Sequence, residues 1–487
     1  MAVQENQAAT IIRYVLRVVR VVALIIGTII VIRAFDARSL PDLHVWHEVG
    51  FENEFEADRD GNIVTLSAYL ELEQALFNEL NEKVFGSRAR VNDLDANRYN
   101  PDSVFSSQNH ETDWNRTTEL KPARPRGAAL MLHGLTDSPY SMRSTAELFY
   151  EHGYHVLVPR LPGHGTAPAG IGQAQWEDWQ SVVDIGVRHL QDSVEAEVPF
   201  VIVGYSNGGA LALNYVFDAL QDENLPMPAR LILLSPAIGV TPFAFFASWN
   251  RVLSWIPFFQ KFAWESNLPE YDPYKYNSFP KAAGNETYEL AKRVQRRLKQ
   301  LQSSDYVTGI PPIIVFAPLV DSTVRTEATA DHLFAGLNRT QDELVLYDIN
   351  RFSEMAQFFR SEYKDLLQRL EEDANRKYKL TLVRNRSPDT RQVIAISRQG
   401  SGIWKEDLDT GWPLGIYSMS HVSVPFSADD NWYGDGRSQS ADHVSLGKLN
   451  PYGEKNLLAV SPAQIMRLRY NPFYDYQARR ISELLDE

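Results

Sequence analysis

Between residues 126 and 350 the chain alternates regularly between short apolar runs and longer amphipathic stretches. The apolar runs are rich in branched residues and bounded by glycine, proline or polar residues, which predicts buried strands, whereas the longer stretches repeat apolar residues at helical intervals. Strands that alternate with helices indicate an α/β fold with a mostly parallel central sheet covered by helices. The predicted strands are residues 127–132, 155–159, 199–203, 230–236, 312–317 and 343–349, and the predicted helices include 141–152 and 176–190.

The N-terminal region contains the one strongly apolar run, residues 21–32. At about 1.5 Å per residue this run is too short for a bilayer core of about 30 Å, but a helix that starts at Tyr14 would be about 28 Å long. That helix includes Arg17 and Arg20, whose long side chains can reach the headgroups. We therefore predict a single-pass membrane anchor, with a cleaved signal peptide and a buried helix as the alternatives. The arginines before the run favour a cytoplasmic N-terminus and an exported C-terminal domain.

Changes in this pattern divide the chain into segments. Residues 241–283 are crowded with Phe, Trp and Tyr and lie between two predicted strands, which indicates a cap over the strand ends. Its aromatic residues can form a small core of their own and can also line an apolar pocket, and we expect some of them to line the site. The predicted segments are a tail and anchor (1–39), an extension that packs on the core (40–125), the first part of the core (126–240), the cap (241–305), the second part of the core (306–350), an insertion (351–415) and a final core segment (416–487).

The late part of the chain departs from the alternation. Residues 355–376 have the pattern of a long amphipathic helix, and 381–383 and 393–396 that of two short strands. We interpret this stretch as an insertion, after which a strand-like run at 416–426 returns the chain to the sheet.

Composition narrows the function. The formal charge is −14, which argues against nucleic acid as a partner. The chain has no cysteine, which excludes disulfides and thiolate metal sites. His44, His47 and His110 are too scattered to indicate a metal site, so neither a metal nor another cofactor is predicted.

The strongest chemical signal is a serine between glycines, Gly-Tyr-Ser-Asn-Gly at residues 204–208, between a predicted strand and a predicted helix. This is the pattern of a nucleophile elbow, a turn so tight that only glycine fits on either side of the serine. The turn exposes the hydroxyl of Ser206 at the helix N-terminus, where the amide of Asn207 can stabilise an oxyanion. Reactive groups of parallel sheets gather at the carboxyl ends of the strands, and Ser206 falls there.

The chain resembles α/β-hydrolases of the serine aminopeptidase-like, carboxylesterase and monoacylglycerol-lipase group. The resemblance covers about residues 126–349 and resumes near 416. The matching motifs are His-Gly-Leu at 133–135, Leu-Pro-Gly-His-Gly at 161–165, the serine motif at 204–209, Val-Asp-Ser-Thr-Val at 320–324 and Ser-His-Val at 420–422.

The resemblance implies an α/β-hydrolase fold and a Ser-His-Asp triad. Ser206 would be the nucleophile, His421 the base and Asp321 the residue that orients the base, in the chain order of this fold. His443 is the alternative base, while His332 follows Asp321 too closely to reach the serine. The resemblance also implies an oxyanion hole formed by the amides of Leu135 and Asn207.

We therefore expect a membrane-anchored serine hydrolase that cleaves carboxylic esters, whose substrate is a small-molecule or lipid ester. The alternatives are acyl transfer or amide cleavage on the same fold, and a catalytically silent interaction module. His133 and His164 are predicted to organise loops by hydrogen bonds rather than to take part in chemistry.

Overall fold

The computed structural model describes residues 2–86, 96–195, 198–239, 257–301, 305–437, 444–449 and 461–486. Its twelve strands are β1 (Thr118–Leu120), β2 (Gly127–Leu132), β3 (Tyr154–Val158), β4 (Phe200–Tyr205), β5 (Arg230–Leu234), β6 (Trp264–Ser266), β7 (Phe279–Pro280), β8 (Ile313–Pro318), β9 (Glu343–Tyr347), β10 (Lys379–Asn385), β11 (Gln392–Gln399) and β12 (Gly402–Gly411). The longer helices are α1 (Ala2–Ser39), α2 (Leu66–Leu80), α3 (Arg143–Glu151), α4 (Trp176–Ser193), α5 (Asn207–Ala219), α6 (Lys281–Leu301), α7 (Glu362–Glu372) and α8 (Tyr474–Asp486).

Ten of the strands form one sheet in the order β1-β3-β2-β4-β5-β8-β9-β10-β11-β12. The central neighbours from β3 to β10 are parallel, and β1, β11 and β12 are antiparallel at the two edges. The predicted α/β fold with a mostly parallel sheet is confirmed. The short edge strand β1 was not predicted, because three residues are too few to show a period of two.

Helices cover both faces of this sheet because alternate strand residues point to opposite sides. On β2, for example, Leu130 and Leu132 belong to one buried cluster, and Ala129 and Met131 to the other. The central strands β2, β4 and β8 are buried along their whole length, so they are apolar on both faces.

The late region agrees with its prediction only in part. Strands β10, β11 and β12 extend the main sheet directly beyond β9, and β10 and β11 contain the two short strands predicted at 381–383 and 393–396. The predicted helix at 355–376 is limited to α7, preceded by a 3-10 turn at Glu354–Phe358. The predicted strand at 416–426 is absent from this described stretch, which instead has a 3-10 turn at His421–Ser423. Both stretches contain polar and turn-forming residues, which the prediction from apolar periodicity did not take into account.

Helix α1 is long and apolar enough from Arg13 to Ser39 to cross a membrane, a property that signal sequences share. Its C-terminal end contacts the cap. Ala34 and Ala37 pack against Phe262, and the Lys261 ammonium donates to the carbonyl of Leu40 at 2.9 Å.

The extension is joined to the core by a buried ion pair. The guanidinium of Arg160, which follows β3, lies 2.9 Å from a carboxylate oxygen of Glu54 and 3.3 Å from one of Glu73 on α2. All three side chains are buried, so removal of Arg160 would leave two carboxylates in the interior without their counter-charge.

The described part of the cap consists of the β6–β7 hairpin, the segment between these strands and helix α6. Its aromatic residues pack on the core and the extension. Tyr274 stacks on Tyr140 of the core with ring centroids 4.0 Å apart, and Trp264 makes an edge-to-face contact with His47 of the extension. The predicted aromatic residues at 243–259 lie outside the residues whose side chains are described.

Candidate active site

Ser206 occupies the turn between β4 and α5 with φ +52° and ψ −114°. Few non-glycine residues adopt a positive φ, and such strained positions cluster at functional sites. The turn is held by hydrogen bonds that neighbouring strands supply: the Ser206 amide donates to the carbonyl of Leu234 at 2.9 Å, and the Ala237 amide donates to the Ser206 carbonyl at 2.8 Å.

The glycines on either side of Ser206 are required by space. A Cβ at Gly204 would lie 2.5 Å from the carbonyl oxygen of Gly208, and a Cβ at Gly208 would lie 2.1 Å from that of Leu132. Because these contacts are with backbone atoms, a side chain could not be accommodated by a rotamer change. The steric reason for the serine motif therefore holds in the structure.

The structure brings Ser206, His421 and Asp321 into one hydrogen-bonded chain. Ser206 Oγ lies 3.0 Å from His421 Nε2, and His421 Nδ1 lies 2.8 Å from Asp321 Oδ2. Ser206 lies in the β4–α5 turn and Asp321 in the loop after β8, so both lie at the carboxyl ends of central strands. His421 reaches them from the 3-10 turn at His421–Ser423.

The Asp321 carboxylate is held as an anion. Its Oδ1 accepts the backbone amides of Thr323 at 2.8 Å and Val324 at 3.0 Å, which leaves Oδ2 for His421. Burial alone would raise the pKa of Asp321, but His421 and these two amides stabilise the ionised form and hold the pKa below its usual value.

Two backbone amides near Ser206 are available to an oxyanion. Asn207 is the first residue of α5, so its N–H lacks an intrahelical acceptor, and Leu135 lines the same cavity as Ser206. Within the described part of the chain, neither amide donates a hydrogen bond. The oxyanion hole formed by these two amides stays a prediction.

His133 and His164 are fully buried and contact backbone groups. His133 Nε2 accepts the Leu161 amide at 3.1 Å, which leaves its Nδ1–H to donate to the Gly134 carbonyl at 3.0 Å. Burial lowers the pKa of His133 to about 3, so its ring is neutral. These contacts fit the predicted structural role.

Of the two other histidines after Asp321 that were considered as the base, the structure describes His332. His332 lies in a π-helical turn and lines a different cavity of about 240 Å³, which does not include Ser206. His443 lies outside the described residues.

Above Ser206 is a cavity of about 490 Å³. Several of its residues were missed by sequence reasoning, because they come from the cap and the C-terminal segment and carry no motif. Among them, Lys275 forms a 3.0 Å ion pair with the buried Asp137, and Arg467 donates to the hydroxyl of Thr323 at 3.1 Å. The lining residues are Leu135, Thr136, Asp137, Tyr205, Ser206, Ala237, Glu265, Lys275, Phe279, Lys281, Gly284, Thr287, Ser322, Thr323, Val324, His421, Val422 and Arg467.

Among the described aromatic residues of the cap, Phe279 lines this cavity. Phe262, Trp264, Tyr271, Tyr274 and Tyr276 are buried elsewhere and do not line the cavity. For these residues, packing within the domain is the observed role.

Comparison with known proteins identifies the family. The profile of the alpha/beta hydrolase family matches residues 129–383, so the chain belongs to this family. The matched region contains Ser206 and Asp321 and ends before His421.

Two relatives match parts of the chain. The chain is similar to a thermostable monoacylglycerol lipase of Bacillus sp. (strain H-257), with 24% identity over 216 residues that cover 44% of this chain and 78% of the lipase. It is also similar to the phospholipase YtpA of Bacillus subtilis (strain 168), with 26% identity over 120 residues. These residues cover 25% of this chain and 44% of the phospholipase. A monoacylglycerol lipase structure from Paleococcus ferrophilus is 18% identical with a TM-score of 0.36, and covers 53% of this chain and 98% of that one. By sequence, the chain is thus an alpha/beta hydrolase that is similar to a monoacylglycerol lipase and a phospholipase.

Proposed function

We propose that this protein is a membrane-anchored serine hydrolase that cleaves carboxylic esters through Ser206, His421 and Asp321. The observation that carries the proposal is the hydrogen-bonded chain from the Ser206 hydroxyl through the His421 imidazole to the Asp321 carboxylate, with distances of 3.0 Å and 2.8 Å. A hydroxyl alone is almost fully protonated at neutral pH, so it needs such a base to attack a carbonyl.

In the first half of the reaction, Ser206 Oγ attacks the ester carbonyl while His421 Nε2 takes the hydroxyl proton. The amides of Leu135 and Asn207 stabilise the resulting oxyanion, and each such donor contributes on the order of 3 kcal/mol. Collapse of the tetrahedral intermediate breaks the ester bond, and His421 returns the proton to the departing alcohol. The acyl group is then bound to Ser206.

In the second half, His421 takes a proton from water, and the hydroxide attacks the acyl-enzyme. The free acid leaves, and the proton returns to Ser206. Throughout, Asp321 holds His421 in the tautomer with the proton on Nδ1 and stabilises the imidazolium.

We propose lipid-derived monoesters as the substrate class. The cavity of about 490 Å³ has apolar lining residues beside the serine, such as Leu135, Phe279 and Val324, which suit an acyl chain. The relative named as a monoacylglycerol lipase supports this choice.

A fluorophosphonate probe and an ester series test the activity. Wild type should be labelled covalently and should hydrolyse p-nitrophenyl esters, with a preference along the acetate-to-palmitate series that reports the acyl length. Ser206→Ala should abolish both signals. Ser235→Ala is the matched control, because Ser235 also follows a strand at positive φ, and it should keep both. Absence of labelling in wild type, or equal labelling in Ser206→Ala, would contradict the proposal.

Membrane attachment has its own test. Full-length protein should sediment with membranes and resist extraction with carbonate, while a chain that starts at residue 40 should not. If the catalytic domain is exported, a C-terminal alkaline phosphatase fusion in bacteria should be active and a C-terminal green fluorescent protein fusion dark. A soluble mature form that lacks residues 1–39 would instead favour the cleaved signal peptide.

A further inference from the structure

A second cluster of side chains with metal-binding chemistry lies away from Ser206. Glu119 lies on β1, His155 on β3 and His189 in the last turns of α4. Glu119 is opposite Leu157 in the β1–β3 register, and alternate strand residues share a face, so His155 projects to the same side. Helix α4 packs on that side, where Leu157 and α4 residues share one buried cluster. The three side chains therefore converge from three separate elements.

The contacts within the cluster are close. Glu119 Oε1 lies 2.7 Å from His155 Nε2 and 2.6 Å from His189 Nε2, and the three atoms all lie within 4.8 Å of one another. His155 is fully buried, and in the described part of the chain its Nδ1 has no hydrogen-bond partner, so the one polar contact of this ring is directed into the cluster. The side chains of Glu119 and His189 are 34% and 26% exposed, which gives an ion access from solvent.

We propose that Glu119, His155 and His189 bind a Zn²⁺ ion, with a water molecule as the fourth ligand. Two imidazole nitrogens and a carboxylate oxygen are a common donor set for zinc. Ligand atoms about 2.1 Å from a tetrahedral ion lie roughly 3.4 Å apart, so Glu119 Oε1 has to move outward by less than about 1 Å. Glu119 can make this movement because its side chain is partly exposed on an edge strand.

Zinc binding also sets the positions of the protons. In the absence of an ion, each imidazole donates its Nε2–H to the carboxylate. To bind zinc, each ring presents the Nε2 lone pair and carries its proton on Nδ1 instead. The ionised carboxylate loses two hydrogen bonds and gains a bond to the cation. The Nδ1–H of the buried His155 then has no acceptor in the described part of the chain, and the free energy of zinc binding has to exceed this cost.

The expected role of the ion is structural. Strand β1 has only three residues and pairs with β3 alone, so an ion would join this edge strand to β3 and α4. His155 lies near the beginning of β3, whereas Ser206 follows the end of the parallel strand β4, so the two sites are at opposite ends of the strands. Zinc binding is therefore independent of the proposed ester chemistry, and each can fail without the other.

Calorimetry with ZnCl₂ on full-length protein in detergent, after removal of metals by chelation, tests the site. Wild type should bind one Zn²⁺ per chain with a Kd in the micromolar range or below. Saturation should raise the thermal midpoint by about 2 °C or more.

Two variants and one control identify the ligands. Glu119→Gln keeps an acceptor for an imidazole N–H but loses the charge, and His189→Ala removes a ligand; each should weaken zinc binding at least tenfold and abolish the thermal shift. His152→Ala removes an imidazole outside the cluster, whose Nδ1 lies 2.8 Å from the Leu148 carbonyl oxygen, and should bind zinc like wild type. Absence of saturable one-to-one binding in wild type, or unchanged binding in Glu119→Gln, would overturn the proposal. If His189→Ala does not fold, zinc binding by Glu119→Gln alone tests the proposal.

Discussion

Replacement of Asp321 by asparagine is the sharpest perturbation of the proposed mechanism, because the surrounding contacts determine how the new amide must lie. The backbone amides of Thr323 and Val324 both donate to Oδ1. The asparagine must therefore keep its carbonyl oxygen at that position, since the opposite orientation would direct an NH₂ group at two N–H donors. The NH₂ group then takes the place of Oδ2, 2.8 Å from His421 Nδ1 in the wild type.

This orientation reverses the tautomer of His421. The NH₂ group can only donate, so Nδ1 becomes an acceptor and the proton moves to Nε2, where it faces Ser206 Oγ. His421 then cannot accept the serine proton, and the imidazolium also loses its counter-charge. We expect kcat to fall about 10⁴-fold, the size of loss for this change in a serine triad, which corresponds to about 5 kcal/mol of barrier.

The assay is hydrolysis of p-nitrophenyl butyrate, with the thermal midpoint measured on the same samples. Asp321→Asn should unfold within a few degrees of wild type, because both backbone hydrogen bonds to the side chain are kept. Asp331→Asn changes an exposed carboxylate in the following helical segment and should keep full activity. Folded Asp321→Asn with a rate within tenfold of wild type would refute the assignment of Asp321 and the tautomer argument.

Two further changes test the turn and the cap. Gly208→Ala places a Cβ 2.1 Å from the Leu132 carbonyl oxygen and should lower the thermal midpoint by several degrees or prevent folding. In the control Gly50→Ala, no atom lies within 4 Å of the new Cβ, so the midpoint should change little. Equal midpoints of the two variants would contradict the steric argument. Burial raises the pKa of Glu270 to about 7, so between pH 4.5 and 7 the folded protein holds a proton that the unfolded chain has lost. The free energy of unfolding should thus decrease by about 3 kcal/mol in total as pH rises through this window. Thermal melts at several pH values should show this decrease in wild type and not in Glu270→Gln. Identical pH profiles of the two proteins would contradict the assignment to Glu270.

Local patterns in the sequence were sufficient to predict the core of the fold. Strands β2 to β5, β8 and β9 were predicted because each is a short apolar run whose two faces are both buried. The turn at Ser206 was predicted for a similar reason, since the need for glycine on both sides arises from atoms within a few residues and from the adjacent strand.

The prediction was less successful where elements depend on distant partners. Strands β10 and β11 were predicted only in part and β12 was not predicted, because strands toward the edge of a sheet depend on their neighbours as well as on their own sequence. His421 was preferred to His443 because it ends a strand-like run, yet the structure has a 3-10 turn there and not the predicted strand. The pocket residues Lys275 and Arg467 belong to segments without motifs, and no periodicity could associate them with Ser206.

The sequence by itself thus determined the alternation of strands and helices, the elbow at Ser206 and the apolar N-terminal helix, since these follow from the steric and hydrophobic properties of contiguous residues. Only the tertiary structure decided how the sheet is extended and which side chains line the cavity. It also decided that Glu119, His155 and His189 lie together at the β1 edge of the sheet. Such contacts between distant residues depend on the free energy of packing the whole chain, to which every element contributes and which no short segment encodes.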